Sequence, residues 1–369
     1  MFEKIGILTG GGDAPGLNAV IRAAVRTAIR QFQMEVVGIE DGYEGLLGDM
    51  QMRNLTTSEV AGLLPRGGTI LGTRNSGHFC YHTPDGKMHY PQEPVIEAIE
   101  NMRRVGIEAL VAMGGEGTLG IAEQFNRRDF PVIGVPKTID NDLACTELTF
   151  GFQTACDIAT EALDRLHTTA ESHDRVMILE VMGRNAGWIA LHSGLAGSAD
   201  VILIPEIPFV MSRVIEKVRA REAGGARFTI IVVAEGATEI GGEARYVDAG
   251  SADKAKRLGG MGEYIRQRIE EETEKESRVV VLGHLQRGGT PNAFDRMLAT
   301  NFGACAVRAL AEGQRGVMVA LQSASIITVP LAQAITNIKS VAADGQLVRT
   351  ARDIGISFAA PDEPQFMRQ

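Results

Sequence analysis

The densest chemistry in this sequence lies in the segment VPKTIDND, where Thr138, Asp140 and Asp142 follow a short apolar run. Two carboxylates two positions apart repel, an arrangement that suits the acceptance of a proton from an alcohol. Asp140 is the candidate base, and Asp142 its tuner or a metal partner. Glu116, within GGEGT, is an oxygen ligand suited to Mg2+ beside phosphate groups. A second glycine cluster, Gly10, Gly11, Gly12 and Gly16, stands between an apolar run and a helical pattern. Glycine there lets the backbone approach a ligand, and a helix start favours an anion. The spacing matches neither GxxxxGK[ST] nor GxGxxG. Arg184 in MGRNAG, and His284 with Arg287 in GHLQRGG, offer groups that grip phosphate oxygens. Together these residues describe phosphate and metal chemistry next to a proton acceptor.

Such residues need elements that deliver them to one edge of a sheet. Six runs do so: KIGILT, ALVAM, PVIGV, RVMILEV, FTIIVVA and RVVVLG, each running into a loop rich in glycine or charge. Buried strands alternating with helical patterns predict α/β architecture with two doubly wound, Rossmann-like, largely parallel sheets. In such sheets the loops after the strands form the ligand crevice. The segment HFCYHTPDGKMHYPQ reads as an inserted hairpin or extended loop around a PDG turn, and the acidic stretch from Ile265 to Glu276 as a solvated helix.

Composition sets the outer limits. A chain of 369 residues predicts two domains, and 44% apolar with 22% charged residues is ordinary for a globular protein. The net charge of -9 argues against a nucleic-acid partner, so an anionic ligand must be held by local arginines and backbone N–H groups. Four cysteines without CxxC spacing, and no apolar run near membrane length, point to a reduced, cytoplasmic setting with no membrane association.

Five segments in order, TGGGDAPGLNAVIR, GGEGT, PKTIDND, EVMGRNAG and GHLQRGGTP, resemble the phosphofructokinase family over nearly the whole chain. The resemblance implies phosphoryl transfer to the 1-hydroxyl of fructose 6-phosphate, with Mg2+ and a phosphoryl donor, in a homotetramer or homodimer. Asp140 matches the family's proton acceptor, and Thr138 and Arg184 match groups that orient the sugar and the transferring phosphoryl. Ile139, Met182 and Gly183 share those substrate loops. Glu235 matches the carboxylate that holds sugar hydroxyls, and His284, Leu285, Gln286 and Arg287 the clamp on the 6-phosphate. Arg175 and Arg278 are similar to two arginines that reach the sugar phosphate from a neighbouring subunit. Gly12, Gly115, Glu116, Gly117 and Thr118 match the donor loops, with Glu116 in the place of the magnesium-associated acid. Arg74 or Asn75 matches the nucleotide-stacking position.

Two positions bear on the donor. Gly117 matches the ATP-using form, in which a bare glycine leaves room for the nucleotide, whereas Lys137 resembles the pyrophosphate-using form. Gly117 carries more weight: excluding ATP needs a side chain that is absent, while a lysine tolerates either donor. Arg22 and Arg26 resemble effector-binding arginines, but His167 and Ala226 stand where bacterial relatives carry basic residues, which argues against control by ADP or phosphoenolpyruvate. Residues 1–151 with 286–336 are expected to bind the donor, and 152–285 with 337–369 the sugar phosphate. A kinase of NAD or lipids would share GGEGT but leaves PKTIDND and HLQRGG unexplained. A silent sugar-phosphate sensor would lack the base that Asp140 supplies.

Overall fold

A computed structural model of the chain describes residues 2–75, 77–83, 88–248 and 257–363. The chain divides into two compact units: Met1–Ile139, Leu143–Thr154 and Arg287–Ile338 form the first, and Asp140–Asp142, Ala155–Gln286 and Lys339–Gln369 the second.

In the first unit, seven strands lie in the order Ser325–Pro330, Val317–Gln322, Val132–Pro136, Ala109–Gly114, Lys4–Thr9, Glu35–Ile39 and Met52–Asn54. The five inner strands are parallel and the two outer ones antiparallel to their neighbours. Alternate residues of the inner strands enter different cores. Val111 and Met113 pack with helices Leu17–Phe32 and Ala293–Ala311, whereas Leu110 and Ala112 pack with helices Gln92–Arg104 and Glu116–Asn126. Burial on both faces explains why these strands are almost continuously apolar. Strand Lys4–Thr9 has its successor Glu35–Ile39 on one side and Ala109–Gly114 on the other, so the strand order reverses there, the position where doubly wound sheets hold ligands.

The second unit has four parallel strands in the order Ser277–Val281, Val176–Val181, Thr229–Ala234 and Val201–Leu203. Helices Met211–Ala223 and Met261–Glu272 cover one face through Val214, Ile215, Val218, Ile265 and Ile269. Helix Trp188–Ala196 covers the other: a Cβ on Gly194 would lie 2.7 Å from the Ile202 side chain. The expected α/β class with two doubly wound sheets is therefore what the chain forms. The order again reverses beside Val176–Val181, between the loops that follow Val181 and Val281.

Some local expectations need correcting. The acidic helix ends at Glu272 and buries Ile265 and Ile269 completely, because apolar residues four apart make one face of it core. Strands Glu35–Ile39, Met52–Asn54, Val201–Leu203, Val317–Gln322 and Ser325–Pro330 join the six expected ones. The insertion is a hairpin of Tyr81–His82 paired antiparallel with Met88–His89; its PDG turn lies outside the described residues. No helix among the described residues is long and apolar enough to cross a membrane.

The Val317–Gln322 hairpin turns through Ser323 and Ala324, whose φ values are 49° and 63°. A two-residue turn with both φ positive is the type I′ geometry that favours Asn-Gly, and an alanine there is strained. Ala324→Gly is expected to raise stability by about 0.5–1 kcal/mol in urea unfolding, the relief of strain exceeding glycine's entropy loss. No gain would mean the turn is already relaxed.

Candidate active site

The first unit brings the expected donor residues together. The Gly10 N–H donates to the Met113 carbonyl at 2.9 Å and the Gly11 N–H to the Arg74 carbonyl at 3.0 Å, tying the first glycine loop to its neighbours. Thr73 adds a hydroxyl bond to the Gly11 carbonyl at 2.5 Å, a contact no motif announced. Close approach makes glycine necessary at Gly10, whereas at Gly12 the neighbour is the movable end of Arg287. A Cβ at Gly10 would sit 2.6 Å from Thr118 Oγ1, and one at Gly12 would sit 2.7 Å from Arg287 Nη1. Thr118 is buried, wedged under both loops.

Two cations flank this loop. Lys137, 3% exposed, donates through Nζ to the Gly12 carbonyl, and its N–H donates to the Gly114 carbonyl at 3.0 Å. Arg287 donates to the Asp13 carbonyl at 3.2 Å. Helix Glu116–Asn126 begins directly after Gly115, so its positive end is offered at Gly115–Thr118, with Glu116 exposed in its first turn. The helix after the first loop starts later, capped by Gly16. At Gly117 there is space: among the described residues an added Cβ would meet only Met88 Cε, at 3.9 Å.

The second unit gathers the expected sugar-phosphate loops. The Met182 N–H donates to Gln286 Oε1 at 2.8 Å, joining the loops on either side of the sheet's reversal; Gln286 itself is fully buried. Gly183 has φ 142° and Arg184 φ 52°, and the Arg184 N–H donates to Glu235 Oε1 at 3.0 Å. Gly236 must be glycine, since a Cβ there would come within 2.0 Å of the Arg184 carbonyl. Glu206 accepts from the Gly187 N–H at 3.0 Å and the Val341 N–H at 2.8 Å. Asp140 and Asn141 are 3% and 2% exposed, and Asn141 adopts φ 52°. Non-glycine residues at positive φ are uncommon and concentrate where function constrains the backbone.

Other expected residues lie further out. Arg74 is exposed and paired with Asp41 at 3.1 Å, and Asn75 is exposed beside it. Arg175 and Arg278 both pair with Glu276, Arg175 at 2.6 Å. The Arg175 hydrogen bond is the main cause of a lowered Glu276 pKa. His284 and Leu285 are exposed, whereas Arg287 in the same short helix turns to the first loop. Arg22 and Arg26 project from helix Leu17–Phe32, where Arg30 and then Arg22 lower the Arg26 pKa. His167 hydrogen-bonds the Gly197 carbonyl at 2.8 Å and meets the Phe228 ring edge-on.

Parallel sheets with charged glycine loops at their carboxyl ends place the chain among doubly wound α/β proteins that hold ligands at a strand reversal. Its sequence matches the Phosphofructokinase family over residues 4–310, and the chain belongs to that family. It is similar to the ATP-dependent 6-phosphofructokinase of Chloroflexus aurantiacus, 56% identical over 356 residues that cover 96% of this chain and 98% of the relative. It is also similar to the pyrophosphate–fructose 6-phosphate 1-phosphotransferase of Amycolatopsis methanolica, 52% identical over 342 residues, 92% of this chain and 96% of the relative. Among solved structures, Pichia pastoris phosphofructokinase in the T-state superposes with a TM-score of 0.78 at 34% identity, over 91% of this chain and 38% of the longer yeast chain.

Proposed function

We propose that this protein is an ATP-dependent 6-phosphofructokinase, transferring the γ-phosphoryl group of ATP to the 1-hydroxyl of fructose 6-phosphate and releasing ADP and fructose 1,6-bisphosphate in glycolysis. The observation that carries the donor assignment is the open space at Gly117, in the first turn of a helix whose positive end favours phosphate. The first unit carries the loops that bind the donor, and the second the loops of Arg184 and Glu235 that hold the sugar.

Phosphoryl transfer asks a protein mainly for positioning and charge neutralisation. Lys137 brings an ammonium group to the donor phosphates. Asp140 takes the proton of the attacking 1-hydroxyl as the new P–O bond forms. Thr138 and Arg184 orient the sugar and the group in transfer, and the bond from the Arg184 N–H to Glu235 fixes that loop while Glu235 holds sugar hydroxyls. His284 and Arg287 grip the 6-phosphate. Arg175 and Arg278 complete that grip from an adjacent copy in a homotetramer, which leaves a lone chain incomplete.

The residues also fit Mg2+. In phosphoryl-transfer sites this ion takes one or two carboxylates and fills its shell with water and phosphate oxygens. Glu116 supplies one exposed carboxylate in the first helical turn, and no cluster of three potential ligands exists among the described residues. When bound, the ion neutralises charge on the donor phosphates. The setting is cytoplasmic.

Pyrophosphate is the second reading, favoured by Lys137 beside both donor loops. Coupled assays with each donor decide between them. ATP is expected to support robust turnover of fructose 6-phosphate; turnover with pyrophosphate and none with ATP would overturn the assignment.

A further inference from the structure

We infer that Lys339 is a positioning residue for the base, clasping the Asp140–Asp142 turn from the carboxyl-terminal segment of the chain. The inference rests on the assignment of Asp140 as base. Lys339 Nζ donates to Asn141 Oδ1 at 2.9 Å, and its N–H donates to the Asp142 carbonyl at 2.8 Å. One residue thus grips both positions that follow the base. Asn141 adopts φ 52°, in the left-handed region that asparagine enters more readily than most residues with a side chain, and Lys339 holds its amide in that turn. A rotation there would swing the Asp140 carboxylate directly.

Lys339 is itself fixed on its far side. Its carbonyl accepts the Trp188 indole N–H at 2.7 Å, and its ammonium lies 5.6 Å from the indole centroid. Two residues on, the Val341 N–H donates to Glu206, which also holds Gly187 at the end of the loop that carries Arg184. The turn with the base and the loop with the phosphoryl-orienting arginine therefore share one anchor. The charge is felt locally: after burial, Lys339 is the next cause of a lowered His192 pKa on the Trp188 helix.

Any residue but proline at 339 can make the main-chain bonds, so the ammonium is what distinguishes positioning from strapping. Lys339→Met keeps the stem and the backbone. It is expected to lower kcat by about 10- to 100-fold, the scale of a small misplacement of a reacting group, with KM for both substrates within about threefold and the unfolding midpoint retained. Lys339→Arg should restore most of the loss. Trp188 is the chain's one tryptophan, so its emission should shift in Lys339→Met and recover in Lys339→Arg.

Asn141→Gly supplies a second route. Glycine accepts the positive φ, so this variant should fold at least as well, yet lose kcat to a similar degree because the Asn141 amide that Lys339 holds is gone. Unchanged kcat in both variants overturns the inference. A raised KM for fructose 6-phosphate with kcat intact makes Lys339 a substrate ligand and also overturns it. So does a kcat loss that follows the unfolding midpoint and is not rescued by arginine. A wild-type protein inert toward fructose 6-phosphate with either donor would instead remove the functional reading.

Discussion

Asp140→Asn is expected to reduce turnover of fructose 6-phosphate by about 10^2- to 10^4-fold, the range a positioned general base contributes, with KM values for sugar and ATP changed little. The amide matches the carboxylate in shape, and Asp140 is only 3% exposed, so volume and packing are kept while proton acceptance is lost. Circular dichroism and the unfolding midpoint should stay close to those of the parent. A variant retaining a tenth or more of parental turnover would remove Asp140 from the role of base. The expectation does not depend on the donor, because the proton comes from the sugar. The same loss should appear with whichever phosphate compound the parent uses.

Gly117→Asp, the second large effect, separates donor choice from folding. Among the described residues an added Cβ meets only Met88 Cε at 3.9 Å, and an acid in the first turn of a helix is favourable, so stability should hold within about 0.5 kcal/mol. The carboxylate would, however, occupy space that the nucleotide needs. At about 4 Å from a phosphate oxygen and an effective dielectric near 20, like charges cost about 4 kcal/mol. Accordingly kcat/KM for ATP should fall by about 10^2- to 10^3-fold, while any turnover with pyrophosphate survives. Equal losses with both donors would mean general damage to the loop. An undiminished ATP activity would mean that position 117 is no gate.

The sequence made the loops legible more readily than their arrangement. Lys4–Thr9, Ala109–Gly114 and Val176–Val181 read as strands because buried parallel strands are nearly continuous apolar runs leading into glycine or charge. Val201–Leu203 escaped because three residues carry no period, and Ser325–Pro330 because it alternates at an antiparallel edge. Motif density pointed to Asp140, Glu116 and Arg184. What motifs could not supply were partners distant in the chain: Gln286 lies 104 positions from Met182, and Lys339 198 positions from Asn141. Such contacts are products of the strand order, which local sequence does not encode. The charge pattern at Ile265–Glu276 misled for a related reason, since Ile265 and Ile269 find their core only through tertiary packing.

The left-handed backbone at Arg184 carries an evolutionary consequence. A glycine would suit φ 52° better than any side chain with a Cβ, so thermodynamic selection alone pulls this position away from arginine. With the phosphoryl-orienting role proposed for Arg184, its guanidinium is kept only while selection for catalysis outweighs that pull. Lineages released from the reaction should therefore drift at this position early, and heat-resistance screens that ignore activity should favour the same loss.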